Sequence, residues 1–139
     1  MNMVSEDIKD MLVSDSALGL IFKTNLFIAQ EPSYSASSNL PVDVTTIFDT
    51  GGYKDELCLD GYRLNKPSVQ IRVRNILFPV AMALAEQIKD FLYTQQQSIW
   101  NGTLYTFIVC VNGPYLLDFD ENDNCRVVMN FDFIRTNIN

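Results

Sequence analysis

The chain has 139 residues, 47% of them hydrophobic, with 17 acidic and 10 basic side chains and a net charge of −7. That length is one domain with enough chain to bury its own core, and that apolar share excludes a disordered polymer. The acidic balance argues against broad binding to nucleic acid or to an anionic membrane surface, and no apolar run approaches the roughly 20 residues of a membrane span.

Met1–Asp7 has neither a basic region nor an apolar core, so no export signal is read there. Ser5 is placed to cap a short helix whose first turn carries Glu6 and Asp7, with Ile8, Met11 and Leu12 on one side. Leu20–Ala29 is apolar and β-prone, divided at Lys23-Thr24-Asn25. Glu31–Asn39, with Pro32 and four serines, reads as a loop. The stretch that organises the chain follows, from Val44 to Asn75. Val44, Thr46 and Phe48 share one face of a predicted strand and Thr45, Ile47 and Asp49 the other, a pattern for a strand covered on both sides. The adjacent glycines Gly51 and Gly52 are a hinge at which the backbone leaves the sheet for a long loop. The chain returns as Val69-Gln70-Ile71-Arg72-Val73-Arg74. Strict alternation there turns Val69, Ile71 and Val73 to a core and Gln70, Arg72 and Arg74 to water or a partner.

Pro79 opens the longest predicted element, a helix ending near Gln95–Gln97. Its apolar stripe is Ala81, Leu84, Ala85, Ile88, Phe91 and Leu92, against Glu86, Gln87, Lys89 and Asp90. Thr103–Val111 is nearly continuous apolar sequence, as in a central strand covered on both faces. Asn112-Gly113-Pro114 reads as a turn, and Tyr115–Phe119 leads into a second turn at 120–124. From Val127 a last strand points Met129, Phe131 and Phe133 inward and Asn130 and Asp132 outward. The fold class is α+β: a small, mostly antiparallel or mixed sheet of five to six strands, with one long helix packed on it and a short N-terminal helix.

The chemistry-bearing residues are few. The chain has no histidine, which removes Ser–His and Cys–His nucleophilic pairs and the commonest metal ligand. Cys58, Cys110 and Cys125 have no paired spacing for zinc or a disulfide framework. They read as free thiols in a reducing cytoplasm, Cys110 as a small buried hydrophobe. Gly51-Gly52 lacks the further glycines and the Lys-Ser/Thr of a phosphate loop. Asp118, Asp120, Glu121 and Asp123 form an acidic turn that begins like a calcium loop. Asp123 stands where such a loop needs glycine and Met129 where it needs a bidentate glutamate, so it reads as a solvated hairpin turn. No metal, cofactor or catalytic residue is assigned. The basic residues Lys54, Arg63, Lys66, Arg72 and Arg74 gather in one segment of an acidic chain. They read either as an ordinary charged sheet face or as a surface for protein partners, since arginine forks are enriched at interfaces.

Several blocks also carry a family resemblance. Phe48-Asp49-Thr50-Gly51-Gly52 and Val69-Gln70-Ile71-Arg72-Val73-Arg74 resemble the most specific blocks of the minor capsid or tail terminator proteins of long-tailed phages. Leu26-Phe27-Ile28 resembles the family's first strand and Ala83-Leu84-Ala85-Glu86-Gln87-Ile88 its helix. Gly113-Pro114, Asp120-Glu121-Asn122 and Asn130-Phe131 resemble its C-terminal hairpin, with a departure at Asp123, where glycine is expected. The resemblance implies a non-catalytic virion protein at the tail–neck junction, assembled in the bacterial host's cytoplasm. It implies a homohexameric ring that caps the tail tube, stops its polymerisation and joins tail to head. The implied partners are further copies of the chain, the tail tube protein and a head completion or connector protein, with DNA only as passing cargo. Two other readings stand beside it: a different neck or connector protein of the same virion, and a small acidic inhibitor that mimics DNA.

Overall fold

In the computed structural model, residues 1–33 and 41–138 are described. Helix α1 (Val4–Ser14) is followed by a short 3-10 turn at Ser16–Leu18, then by strands β1 (Leu26–Ile28), β2 (Val44–Asp49), β3 (Tyr53–Leu57), β4 (Arg63–Lys66) and β5 (Ser68–Asn75). Helix α2 (Phe78–Thr94) separates these from β6 (Ser98–Trp100), β7 (Thr103–Phe119) and β8 (Cys125–Asn137). The Ser-rich loop predicted at 31–39 is described only at Glu31, Pro32 and Ser33; the rest lies outside the described residues.

The eight strands of the described residues join one mixed sheet centred on β8. On one side of β8 lies β7, with the short β6 beyond it; on the other lie β5 and β4. The pairings Asn65 with Arg135, Ser68 with Asp132 and Asn75 with Cys125 share one register, so β4 and β5 run as a single line along β8, interrupted at Pro67. Next to that line, β2 pairs antiparallel with β5, and β3 with β4. The parallel pair β1–β2 makes the sheet mixed.

The core lies between one sheet face and the two helices. Val69, Ile71 and Val73 of β5 sit opposite Phe131, Met129 and Val127 of β8, and all six are buried under α2 and α1. The helix contributes Ala81, Ala85, Ile88 and Leu92, fully buried, while Leu84 and Phe91 pack half-buried beside them. The predicted stripe therefore faces the sheet. Its alanines let the helix approach the sheet closely, and the four-residue spacing keeps the contacts on one side.

Several local expectations give way to long-range geometry. Ser5 lies inside α1 and is not its cap. The carboxylate of Asp49, at the end of β2, accepts hydrogen bonds from the Ser5 N–H and hydroxyl, so a strand supplies the acceptor for the first turn. The presumed turn at Asn112-Gly113-Pro114 does not end a strand. β7 continues through it as an irregularity in its pairing with β8, between Asn112 and Tyr115. Gly113 is required there, because a side-chain carbon at φ +97° would stand 2.5 Å from the Val128 carbonyl oxygen. Nor is β7 covered on both faces: Tyr105 and Ile108 are buried, whereas Phe107 and Val111 are exposed. Among the cysteines, Cys125 is buried, Cys110 half-buried and Cys58 exposed, and all three are free thiols.

Candidate functional site

The face of the sheet away from the helices carries the predicted polar residues of β5 and β8. Arg72 donates from Nε to Gln70 Oε1 at 2.8 Å, Gln70 donates to Asn130 Oδ1 at 3.1 Å, and Asn130 donates to Asn112 Oδ1 at 2.6 Å. These bonds form a polar ladder across β5, β8 and β7. The Arg72 guanidinium lies 4.7 Å from the centre of the Phe48 ring on β2, which extends the ladder by one strand. Beside it, Ser68 donates to Asp132 at 2.6 Å. A cleft of about 370 Å³ on this face is bordered by Thr50, Tyr53, Ser68, Val111, Asn130 and Asp132, among other residues. The surface is broad, mostly neutral and internally hydrogen-bonded. It presents aromatic and amide side chains without a convergent set of acids or nucleophiles.

Arg74 does not share this exposure, which corrects the expectation drawn from alternation. Its side chain is 2% exposed. Nε donates to the Val42 carbonyl at 2.9 Å and Nη1 to the Pro32 carbonyl at 2.6 Å, and Asp120 Oδ2 lies 4.0 Å from Nε. Pro32 and Val42 lie over the outer face at this end, where Val44, Thr46 and Val128 are buried as well. A single strand's pattern cannot reveal that a distant segment lies over it.

The other cations lie on the ribbon formed by β3 and β4, which sequence alone presented as a loop. Lys54 is exposed. Arg63 pairs with Asp55 at 3.3 Å, and Lys66 with Glu56 at 2.6 Å. Hence the structure separates the predicted basic cluster into a buried structural arginine, one arginine on the open face and a ribbon whose charges pair across its own two strands. Gly51 and Gly52 hold φ of +92° and +104°, and the hinge is tight at Gly52. A side-chain carbon there would stand 2.3 Å from the Lys66 carbonyl oxygen, where the ribbon folds past Pro67.

The acidic turn is largely occupied with its own structure. The Asp120 carboxylate accepts from the N–H groups of Asn122 and Asn124 at 2.9 and 2.8 Å and from Asn124 Nδ2 at 3.0 Å. Burial pushes its pKa up. Those hydrogen bonds and the nearby Arg74 outweigh that effect and hold it below the usual carboxylate range. Asp118 accepts from Arg126, which also donates to Glu31 at 2.9 Å. Asp123 adopts φ +61°, so the position where glycine was expected does require left-handed backbone, and aspartate tolerates it. Within this turn, Glu121 and Asp123 stand exposed beside these paired acids. Among the described residues no cluster of three or more His, Cys, Asp or Glu is arranged to hold a metal ion.

Sequence reasoning missed a buried polar cluster on the helix side. Asp7 of α1 accepts from the Tyr105 hydroxyl and, at 2.7 Å, from Asn101 Nδ2. Arg135 donates to Tyr105 Oη at 3.2 Å, to the Asn2 carbonyl at 3.0 Å and to Asn65 Oδ1 at 2.7 Å. Burial, then the Asp7 hydrogen bond, push the tyrosine pKa well above its ordinary value. The cluster ties α1 to the far end of β8 and is a structural clamp. Only the placement of Asp7 inside an otherwise apolar helical face hinted at it.

With this geometry in view, the comparisons with known proteins decide the family. The family model for the bacteriophage tail terminator protein matches residues 7–137. The chain belongs to that family. It is therefore a structural protein of the phage tail, and the sheet face and ribbon described above are surfaces of a virion component. A solved chain from the virion of a native gene transfer agent particle shares the fold, with a TM-score of 0.59 at 11% identity, over 96% of this chain and 94% of that one. No curated protein sequence matches the chain.

Proposed function

We propose that the chain forms a ring, a hexamer as the family resemblance implies, that closes the head-proximal end of the tail tube. There it stops tube polymerisation and offers a surface for head joining. Its partners are further copies of itself, the tail tube protein and a head completion or connector protein, and DNA passes through as cargo. The observation that carries this reading is the tail terminator match over residues 7–137. The physical character of the surface supports it. A wide neutral sheet face, bound together by its own side-chain hydrogen bonds, is suited to area contact with other proteins. A net charge of −7 favours a channel that DNA slides through without sticking. The test is electron microscopy of lysates from phage lacking this gene product. Tails of uncontrolled length, or finished tails and filled heads that fail to join, are the expected outcome. Normal particles would remove the terminator assignment.

A further inference from the structure

Two exposed apolar surfaces lie at opposite ends of the sheet. At one end the β3–β4 ribbon runs past the last residues of β8, and its tip exposes Leu57 at 81%, Leu59 at 111% and Tyr62 at 58%. The tip is closed by backbone bonds of its own, Cys58 N–H to the Tyr62 carbonyl at 2.8 Å and Gly61 N–H to the Cys58 carbonyl at 3.0 Å. It is a formed loop presenting apolar side chains to solvent. At the other end, Asn75, Cys125 and Phe119 lie side by side on β5, β8 and β7. There the β5–α2 connection and the end of β7 expose Ile76, Leu77, Phe78, Val80, Leu117 and Phe119. Clustered exposed apolar groups of this kind mark interaction surfaces.

We infer that the β3–β4 tip of one subunit docks on the Ile76–Val80 and Phe119 end of the next copy of the chain. The inference rests on the ring reading above and names the contact that would close it. Two observations select a second copy as the occupant. First, the tip cannot serve its own patch, because the β4–β5 line from Arg63 to Asn75 separates them by roughly 40 Å at about 3.3 Å per residue. Second, donor and acceptor lie at opposite ends of one sheet, the arrangement that a head-to-tail ring requires and a twofold dimer does not. Arg63 and Lys66 are already neutralised within the ribbon, so the contact is mainly apolar.

Cys58, exposed at the tip, provides the test. Full-length Val80→Cys protein, and isolated tails carrying it, are oxidised mildly and run on non-reducing gels. The expected result is a ladder of covalent oligomers that disappears when Cys58→Ser is added. In parallel, Leu57→Ser/Leu59→Ser protein is compared with wild type by light scattering, with circular dichroism as the folding control. Loss of the ring with an unchanged spectrum is expected, because both leucines are solvent-exposed in the subunit and contribute little to its core. A wild-type ring that persists in the double serine variant, or a ladder that does not depend on Cys58, overturns the docking and leaves the ring reading standing. Wild-type chain that is monomeric both in solution and on isolated tails overturns both. If the tip instead crosslinks to the tail tube protein, the second-copy assignment is overturned.

Discussion

At the scale of single residues, Arg72 and Arg74 show how one strand gives two similar side chains opposite tasks. Arg74 is enclosed by the Val42 and Pro32 carbonyls and Asp120, so Arg74→Glu sets a buried carboxylate against three acceptors. We predict a loss of about 3–5 kcal/mol, the range for breaking a buried charge arrangement from one side. Arg72→Glu forfeits a half-buried contact with Phe48 and one hydrogen bond to Gln70, and should cost about 1 kcal/mol. Urea denaturation of the two variants checks the contrast, and equal losses would show that burial of Arg74 does not matter to the fold. Asp120 adds a pH dependence. Its folded pKa lies below the ordinary 3.8, so its stabilisation is fully present above that pH and is lost as pH falls through the folded value. Asp120→Asn should therefore lower stability at neutral pH by about 1–3 kcal/mol and flatten the acid limb of a melting-temperature profile. A variant with an unchanged acid limb would show that Asp120 does not titrate differently in the two states.

At the scale of elements, legibility followed coverage. Helix α2 and strand β8 were readable because each has one face on the core and an opposite face of largely polar, less buried side chains, which prints its period on the sequence. The β3–β4 ribbon was not, because it is exposed along most of its length. Lys54-Asp55-Glu56 therefore carries no apolar alternation, and the ribbon's pairing is fixed by neighbours instead. Asn112-Gly113-Pro114 misled for a different reason: a strand irregularity needs the same glycine that a turn does. The acceptor for α1 lies on Asp49, forty-four residues from Ser5, and no local motif announces it. On the candidate surface, the cations were visible in the sequence but their division into buried, open-face and self-paired was not. The clamp between α1 and β8 yields a further prediction. The raised Tyr105 pKa means that the unfolded phenol ionises first, near 10.0. The stabilisation is then complete below that pH and declines as pH rises toward the folded value. Tyr105→Phe leaves Asp7 and Arg135 short of a partner and should cost about 1–3 kcal/mol at neutral pH. The gap between variant and wild type should narrow above pH 10.0, measured by thermal melts. A constant gap across that range would mean that the hydroxyl titrates as it does in the open chain.

At the scale of the whole molecule, the open sheet face and the two sheet ends are separate surfaces, and their roles in assembly can be separated by mutation. The ends are the proposed subunit contacts. That leaves the face bearing Arg72, Gln70, Asn130 and Asn112 for the tail tube or the head connector. Arg72 is the one full charge in that ladder, and it is held in place by Gln70 and the Phe48 ring. A positioned guanidinium surrounded by neutral amides is suited to a carboxylate on a partner, whose desolvation it offsets through paired hydrogen bonds. Reversing it in Arg72→Glu keeps the core untouched, yet sets like charge against that partner, and such a juxtaposition costs several kcal/mol. The subunit should fold and the ring should form, since the proposed ring contacts lie at the sheet ends. Phage carrying the substitution should nevertheless give tails of uncontrolled length or tails that fail to join heads. Electron microscopy of the lysate reads the particle outcome, and light scattering of the purified variant reads the ring. Normal tails joined to heads would take Arg72 out of the partner contact. Loss of the ring itself would place the open face between subunits and move the tube contact elsewhere.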